Sequence, residues 1–171
     1  MRRGLHFTFQ TLYPLSFALL LVSVATDTLG ATRLFAEERI DKRQQEMDRE
    51  WKRLQSEKDP SDRAESYMKI ADIALIFTSD AARVNDLPRM ESYLAVYSQS
   101  VSKARDEMMN SGLDPYKKWK GYKLVETGVR KQLRIMQDIT RTLNLQARKP
   151  IEGVIGVATQ LRDEVLHALF R

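Results

Sequence analysis

Apolar residues recur at steps of three and four along most of the chain after residue 59, and this spacing restricts the fold more than any other feature. Its clearest example extends from Met90 to Met108, where apolar side chains are separated by 4, 3, 4, 3 and 4 residues. Such spacing places the side chains on one face of an α-helix. No stretch alternates with the two-residue period of a strand. The sequence therefore predicts an all-α fold.

Four segments carry this helical period, and prolines and glycines mark their expected ends. The first follows Asp59, an N-cap residue type, and Pro60, which suits the first helical position. Gly112 is suited to cap the second helix, and Pro150 is expected to begin the fourth. The predicted helices cover about residues 60–85, 88–112, 121–144 and 150–171.

The connections between these segments are short, except for residues 112–120. Short connections favour antiparallel packing of successive helices. We therefore expect an up-down antiparallel four-helix bundle with an additional charged N-terminal helix. A short helical-hairpin solenoid is the alternative fold, because the tripeptide Glu-Ser-Tyr occurs at both 65–67 and 91–93.

The first 31 residues have the pattern of a secretory signal peptide. Two arginines at positions 2 and 3 precede an apolar core at 15–24, and small residues follow that core. The apolar stretch is shorter than the roughly 20 residues that a membrane span needs. We expect cleavage and export to the periplasm or the exterior, with tethering by an uncleaved segment as the alternative. The remaining chain divides into a charged N-terminal helix at 32–58 and a helical bundle domain at 59–171.

The chain offers little material for catalysis or metal binding. It has no cysteine and two histidines, and His167 is the one that follows the predicted signal peptide. A haem held by His167 and Met68 is conceivable in a four-helix bundle, but the helical period places His167 opposite the apolar stripe of its helix. We therefore expect no enzyme activity, no metal and no cofactor. A bundle that holds haem or another ligand is an alternative function.

Positive charge is concentrated between residues 114 and 149. This region contains ten basic and three acidic residues, so its net charge is +7, compared with +5 for the whole chain. Within this region the segment 116–123, here called the basic aromatic loop, interleaves lysines with aromatic residues. Basic side chains attract polyanions, and aromatic rings stack on flat groups or lie at lipid interfaces. The candidate binding residues are Tyr116, Lys117, Lys118, Trp119, Lys120, Tyr122, Lys123, Arg130, Lys131 and Arg134.

A purely structural interpretation of the basic aromatic loop is also open. In that interpretation Trp119 and Tyr122 close one end of the bundle while the lysines are solvated.

These features predict a non-catalytic interaction or structural module of the cell envelope. Its contact would be a protein partner or an acidic envelope surface, either wall polymer or anionic lipid. Nucleic acid is not an expected partner of an exported protein. A helical solenoid adaptor that holds a peptide in a groove is a further alternative.

Several short motifs carry a resemblance. These are Ser111-Gly112-x-Asp114-Pro115, Lys120-Gly121-Tyr122-Lys123-x-x-Glu126, Arg130-Lys131-x-Leu133-Arg134 and the proline at 150. Over about residues 58–171 the chain resembles small exported all-helical bacterial proteins of unknown function, notably of the acidobacterial type. The resemblance implies an exported helical domain in which the Lys-Gly-aromatic-Lys segment recurs, and it implies no activity.

Overall fold

The structure is a computed structural model that describes residues 39–40, 42–112, 114–117 and 119–170. All regular secondary structure in these residues is helical, which confirms the predicted fold class. The predicted signal peptide lies outside the described residues. The chain divides into two compact units, Met1–Lys42 and Arg43–Arg171. The second unit contains all but the first residue of α1 (42–56), and it contains α2 (Pro60–Arg83), α3 (Leu87–Met109), α4 (Trp119–Thr142) and α5 (Leu145–Leu169).

Local capping determines where the helices begin. The Asp59 carboxylate accepts hydrogen bonds from the backbone N–H groups of Ser61 and Asp62, at 2.8 and 3.3 Å, and Pro60 is the first residue of α2. Asp86 caps α3 in the same way by accepting from the Arg89 N–H at 3.2 Å. These bonds satisfy donors that have no partner within the first turn of a helix.

The prediction that the last helix begins at Pro150 was wrong. The helix begins at Leu145, and Pro150 lies inside it. The Asn144 side chain accepts a hydrogen bond from the Ala147 N–H at 3.0 Å and caps the earlier start. A proline this close to a helix start removes one intrahelical hydrogen bond. Burial of Ala147 and Ile151 continues the packed face on both sides of the proline, which offsets that loss.

Two helical hairpins, α2–α3 and α4–α5, lie side by side. Besides the packing within each hairpin, α2 packs against α4 and α3 packs against α5. The starts of α2 and α4 meet where Gly121 approaches Ser61, and their ends meet where Arg83 and Thr142 line one hollow. The two helices are therefore parallel. This agrees with the predicted alternation of helix direction along the chain, because one helix, α3, lies between them in the sequence. The helices α3 and α4 are successive in sequence and lie diagonally, with little contact between them.

The core is centred on α2, in which twelve of 24 residues are buried, compared with seven in α3, eight in α4 and five in α5. In α2 the Phe77 side chain is 2% exposed and stacks on Tyr93 of α3, with ring centroids 4.9 Å apart. Contacts with α1, α3 and α4 explain why half of the residues of this helix are buried.

The helix α1 packs antiparallel on α2. Its buried residues Met47 and Leu54 face the bundle, and Trp51 meets the Tyr67 ring edge-on at 6.2 Å between centroids. An ion pair between Arg43 and Asp80, at 3.2 Å, fixes the start of α1 against the end of α2. In the part of the chain that the structure describes, no helix combines the length and hydropathy of a membrane span.

Candidate functional site

The exposed side of α4 carries four of the predicted basic residues. Lys120, Lys123, Lys131 and Arg134 are exposed, and their spacing of 3, 8 and 3 residues places them on one side of the helix. We call these four residues the basic face. Within the described residues none of them forms an ion pair with an acidic side chain. Arg130 differs, because it pairs with Glu126 one turn earlier at 3.5 Å. The basic face is therefore a cluster of positive charge whose members form no ion pair within the described residues.

Aromatic rings stand at the beginning of this face. Trp119 opens α4 with 45% of its surface exposed, and the Lys123 ammonium lies 5.1 Å from the centroid of its ring. Tyr116 is 66% exposed in the preceding loop, where Lys117 is also exposed. Lys118 lies outside the described residues. An exposed ring beside unpaired cations can contact a partner through both an apolar surface and a charge.

Tyr122 does not lie at the surface, where a residue that contacts a partner would have to lie. It is buried, and its hydroxyl donates a hydrogen bond to the Met108 carbonyl at 2.8 Å. The neighbouring Gly121 lets α4 approach the Met108 side chain, because a Cβ at that position would lie 2.7 Å from Met108 Cε. Tyr122 therefore closes the end of the bundle, as the structural interpretation expected for it, whereas Trp119 remains at the surface.

A groove follows the junction of the parallel helices α2 and α4 and contains three successive hollows of about 470, 530 and 430 Å³. We call this feature the α2–α4 groove. The first hollow is lined by Asp59, Ser61, Asp62, Lys117, Trp119, Lys120 and Gly121. The middle hollow is lined by Asp72, Trp119, Lys120, Lys123, Leu124, Thr127, Gly128 and Lys131. The last hollow is lined by Ser79, Ala82, Arg83, Ile135, Asp138, Ile139 and Thr142.

A polar contact between α2 and α4 lies at the middle hollow. Gln132 is completely buried, and its Nε2 donates a hydrogen bond to Oδ1 of Asp72 at 2.9 Å. The Gln132 Oε1 atom has no hydrogen-bond partner among the described residues. Sequence reasoning missed this pair, although Gln132 interrupts the apolar stripe formed by Val125, Val129 and Met136, and that interruption is a usable signal.

Two buried tyrosines differ in whether their hydroxyls are satisfied. Tyr97 of α3 is completely buried, and its hydroxyl has no hydrogen-bond partner in the described part of the chain. An unsatisfied buried hydroxyl costs free energy that the same group recovers in water on unfolding. Tyr122, by contrast, donates to the Met108 carbonyl, which also accepts from the Ser111 hydroxyl at 2.8 Å.

We therefore expect conservative substitutions at the two tyrosines to have opposite signs. Tyr97→Phe should raise the free energy of unfolding by about 1 kcal/mol, and Tyr122→Phe should lower it by about 1 kcal/mol. Urea unfolding of both variants at pH 7, followed by circular dichroism, measures the two changes. A loss of stability in Tyr97→Phe would show that its hydroxyl does have a partner.

Alkaline pH should destabilise the protein partly through Tyr97. Burial, with a smaller contribution from the Asp72 carboxylate, raises the pKa of Tyr97 well above its usual value. Above about pH 10 the unfolded chain loses this proton while the folded chain keeps it. The free energy of unfolding therefore falls as pH rises, by up to about 1.4 kcal/mol per pH unit for this group. Between pH 10 and 11.5 the Tyr97→Phe variant should lose stability less steeply than the parent protein.

The residues considered for ligation are not arranged for it. His167 is exposed in the last turn of α5, on the outer side that the helical period predicts. Met68 is buried in the core, where a Cβ at Gly128 would lie 2.6 Å from its Cε atom. Across the described residues, no three His, Cys, Asp or Glu side chains are grouped so as to hold a metal ion. The unpaired basic face and the α2–α4 groove are therefore the features on which a function can be argued.

No protein family model, curated protein or solved structure matches this chain. The resemblance to small exported bacterial proteins stays a prediction, and the candidate site rests on the geometry of the chain itself.

Proposed function

We propose that this protein is an exported, non-catalytic interaction module that contacts an acidic partner or envelope surface through the basic face of α4. The observation that carries the proposal is the set of four exposed cations, Lys120, Lys123, Lys131 and Arg134, without ion pairs in the described residues. The signal-peptide pattern of the first 31 residues supports export to the periplasm or the exterior.

The charge distribution favours attraction to one side of the molecule. Acidic and basic residues alternate on α2, where Lys69 pairs with Glu65 at 2.9 Å and Arg83 with Asp80 at 3.6 Å. The opposite charges of such a pair cancel at distances larger than their separation, so the pair adds little to the field that an approaching partner meets. The basic face has no such cancellation, so it attracts an approaching polyanion in a definite orientation.

The exposed rings add a contact that charge alone does not provide. Trp119 and Tyr116 lie at one end of the basic face, and Lys123 is held over the Trp119 ring. A ring in this position can lie against an apolar or flat part of a partner once charge has brought the partner close. We therefore include Tyr116, Lys117 and Trp119 in the proposed contact surface, and leave out the buried Tyr122.

Binding to simple polyanions tests the proposal. The full chain is mixed with poly-glutamate, with anionic vesicles and with wall sacculi, at low and at high salt. We expect salt-sensitive binding to at least one of them. The triple variant Lys120→Glu, Lys123→Glu, Lys131→Glu should weaken that binding about 100-fold at low salt, because each reversal replaces an attraction by a repulsion.

A matched control separates the basic face from net charge. The triple variant Arg49→Glu, Lys52→Glu, Lys149→Glu changes the net charge equally at exposed residues of α1 and α5. It should keep most of the binding. Equal losses in the two triple variants would show that net charge alone attracts the polyanion, and no binding to any of the three probes would overturn the proposal.

A further inference from the structure

We infer that the α2–α4 groove binds an extended peptide of about ten residues, with acidic side chains over its middle hollow and an apolar side chain over its last hollow. This inference rests on the proposed function, since the lysines of the basic face also border the groove. It specifies the class of partner and how that partner lies in the groove.

The length of the groove fits an extended segment. The three hollows extend along α4 from Trp119 to Thr142, a helix of 24 residues. At 1.5 Å per residue the helix is about 36 Å long. An extended chain advances about 3.3 Å per residue, so about ten residues span the groove.

The charges along the groove change sign in a way that a uniform polyanion cannot match. Around the middle hollow, Lys120, Lys123 and Lys131 outnumber the single acidic residue Asp72. The first hollow is bordered by two carboxylates, Asp59 and Asp62, as well as by lysines. A wall polymer or a lipid layer carries negative charge everywhere and would meet these carboxylates. A peptide can confine its acidic side chains to the middle.

The lining of the last hollow is apolar in part, and Ser79 and Thr142 are its hydroxyl-bearing residues. Ala82, Ile135 and Ile139 line it, while its two charged residues are already engaged. Arg83 pairs with Asp80 at 3.6 Å, and Asp138 pairs with Arg141 at 2.9 Å. An apolar side chain placed here is removed from water without displacing an unpaired charge. This hollow is therefore suited to a leucine, isoleucine or phenylalanine of the partner.

The floor of the middle hollow provides a fixed acceptor. Asp72 lines this hollow, and the hydrogen bond from the buried Gln132 holds its carboxylate in place. A peptide backbone N–H or a hydroxyl group can donate to a carboxylate, whereas an ionised phosphate or carboxylate group cannot. Among acidic partners, a peptide can therefore match more of the charges and acceptors of the groove than a uniform polymer can.

Selection from a displayed library of random ten-residue peptides tests the inference on the full chain. We expect the enriched peptides to share acidic residues at central positions and an apolar residue near one end. Their dissociation constants are then measured by fluorescence anisotropy with synthetic peptides. Thr127→Glu places a negative charge at an exposed position of the middle hollow and should weaken binding about 10-fold.

Two further variants distinguish the groove from the basic face alone. Ile135→Gln changes the apolar lining of the last hollow and should weaken binding several-fold, whereas Gln99→Glu, at an exposed position of α3, should leave it unchanged. Thermal unfolding of each variant separates loss of binding from loss of the fold. Peptides that bind the Thr127→Glu and Ile135→Gln variants as well as the parent, or a library without enrichment, would overturn the inference.

Parallel binding to anionic vesicles and to wall sacculi keeps the two proposals apart. If those probes bind through Lys120, Lys123 and Lys131 but no peptide is selective for the groove, the peptide inference fails and the proposed function stands. If neither the peptides nor the polyanions bind, both fail.

Discussion

Replacing Phe77 by alanine is expected to lower the free energy of unfolding by about 3–5 kcal/mol. Phe77 is 2% exposed on the central helix α2 and stacks on Tyr93 of α3. The substitution removes a large apolar surface from the core and leaves a cavity between two helices that cannot fully collapse. Denaturant unfolding followed by circular dichroism measures the change.

The adjacent residue provides the control for this variant. Ile76 lies on the same helix and is 38% exposed, so Ile76→Ala should cost less than about 1 kcal/mol. Similar losses in the two variants would mean that α2 is not the centre of the core. Because the two substitutions have the same helical context, the difference between them measures burial and not helix propensity.

Replacing Arg63 by alanine should have the second-largest effect, about 2–3 kcal/mol. The Arg63 guanidinium donates to the Glu107 carboxylate of α3 at 2.9 Å and to the carbonyls of Leu54 and Glu57 at 2.8 and 3.2 Å. It thereby connects α2 to α3 and to the end of α1. Its removal leaves three partly buried acceptors without this donor.

The loss at Arg63 should be accompanied by a local change in α1. Amide hydrogen exchange is expected to increase across residues 43–56 more than in α5, because Arg63 holds the end of α1 on the bundle. Arg83→Ala is the control, since that side chain is 77% exposed and pairs within its own helix, and it should cost less than about 0.5 kcal/mol. Unchanged exchange in α1 would contradict the role given to Arg63.

Much of the helical structure follows from local sequence signals. Asp59 with Pro60 and the apolar spacing from Met90 to Met108 predict the starts and faces of α2 and α3 to within a few residues. Pro150 does not mark the start of the last helix, although proline suits the first turn of a helix. The asparagine cap lies just before Leu145, so the helix begins there and the early proline is accommodated.

The candidate site was predictable in part. Because the helical period is regular, the spacing of Lys120, Lys123, Lys131 and Arg134 indicates a shared face, and the structure has it. The burial of Tyr122 was not decided by the period alone. It depends on the close approach of α3 at Gly121 and on the Met108 carbonyl as acceptor, both of which belong to another helix.

By itself, the sequence determined that the chain forms helices, where most of them begin, which faces are apolar and where positive charge accumulates, because these properties depend on neighbours within a few residues. The tertiary structure alone decided that α2 lies parallel to α4, that Asp72 meets Gln132 at 2.9 Å and that a groove follows their junction. These contacts join residues far apart in sequence, and helical periods that are nearly alike on every helix do not specify which apolar face packs on which.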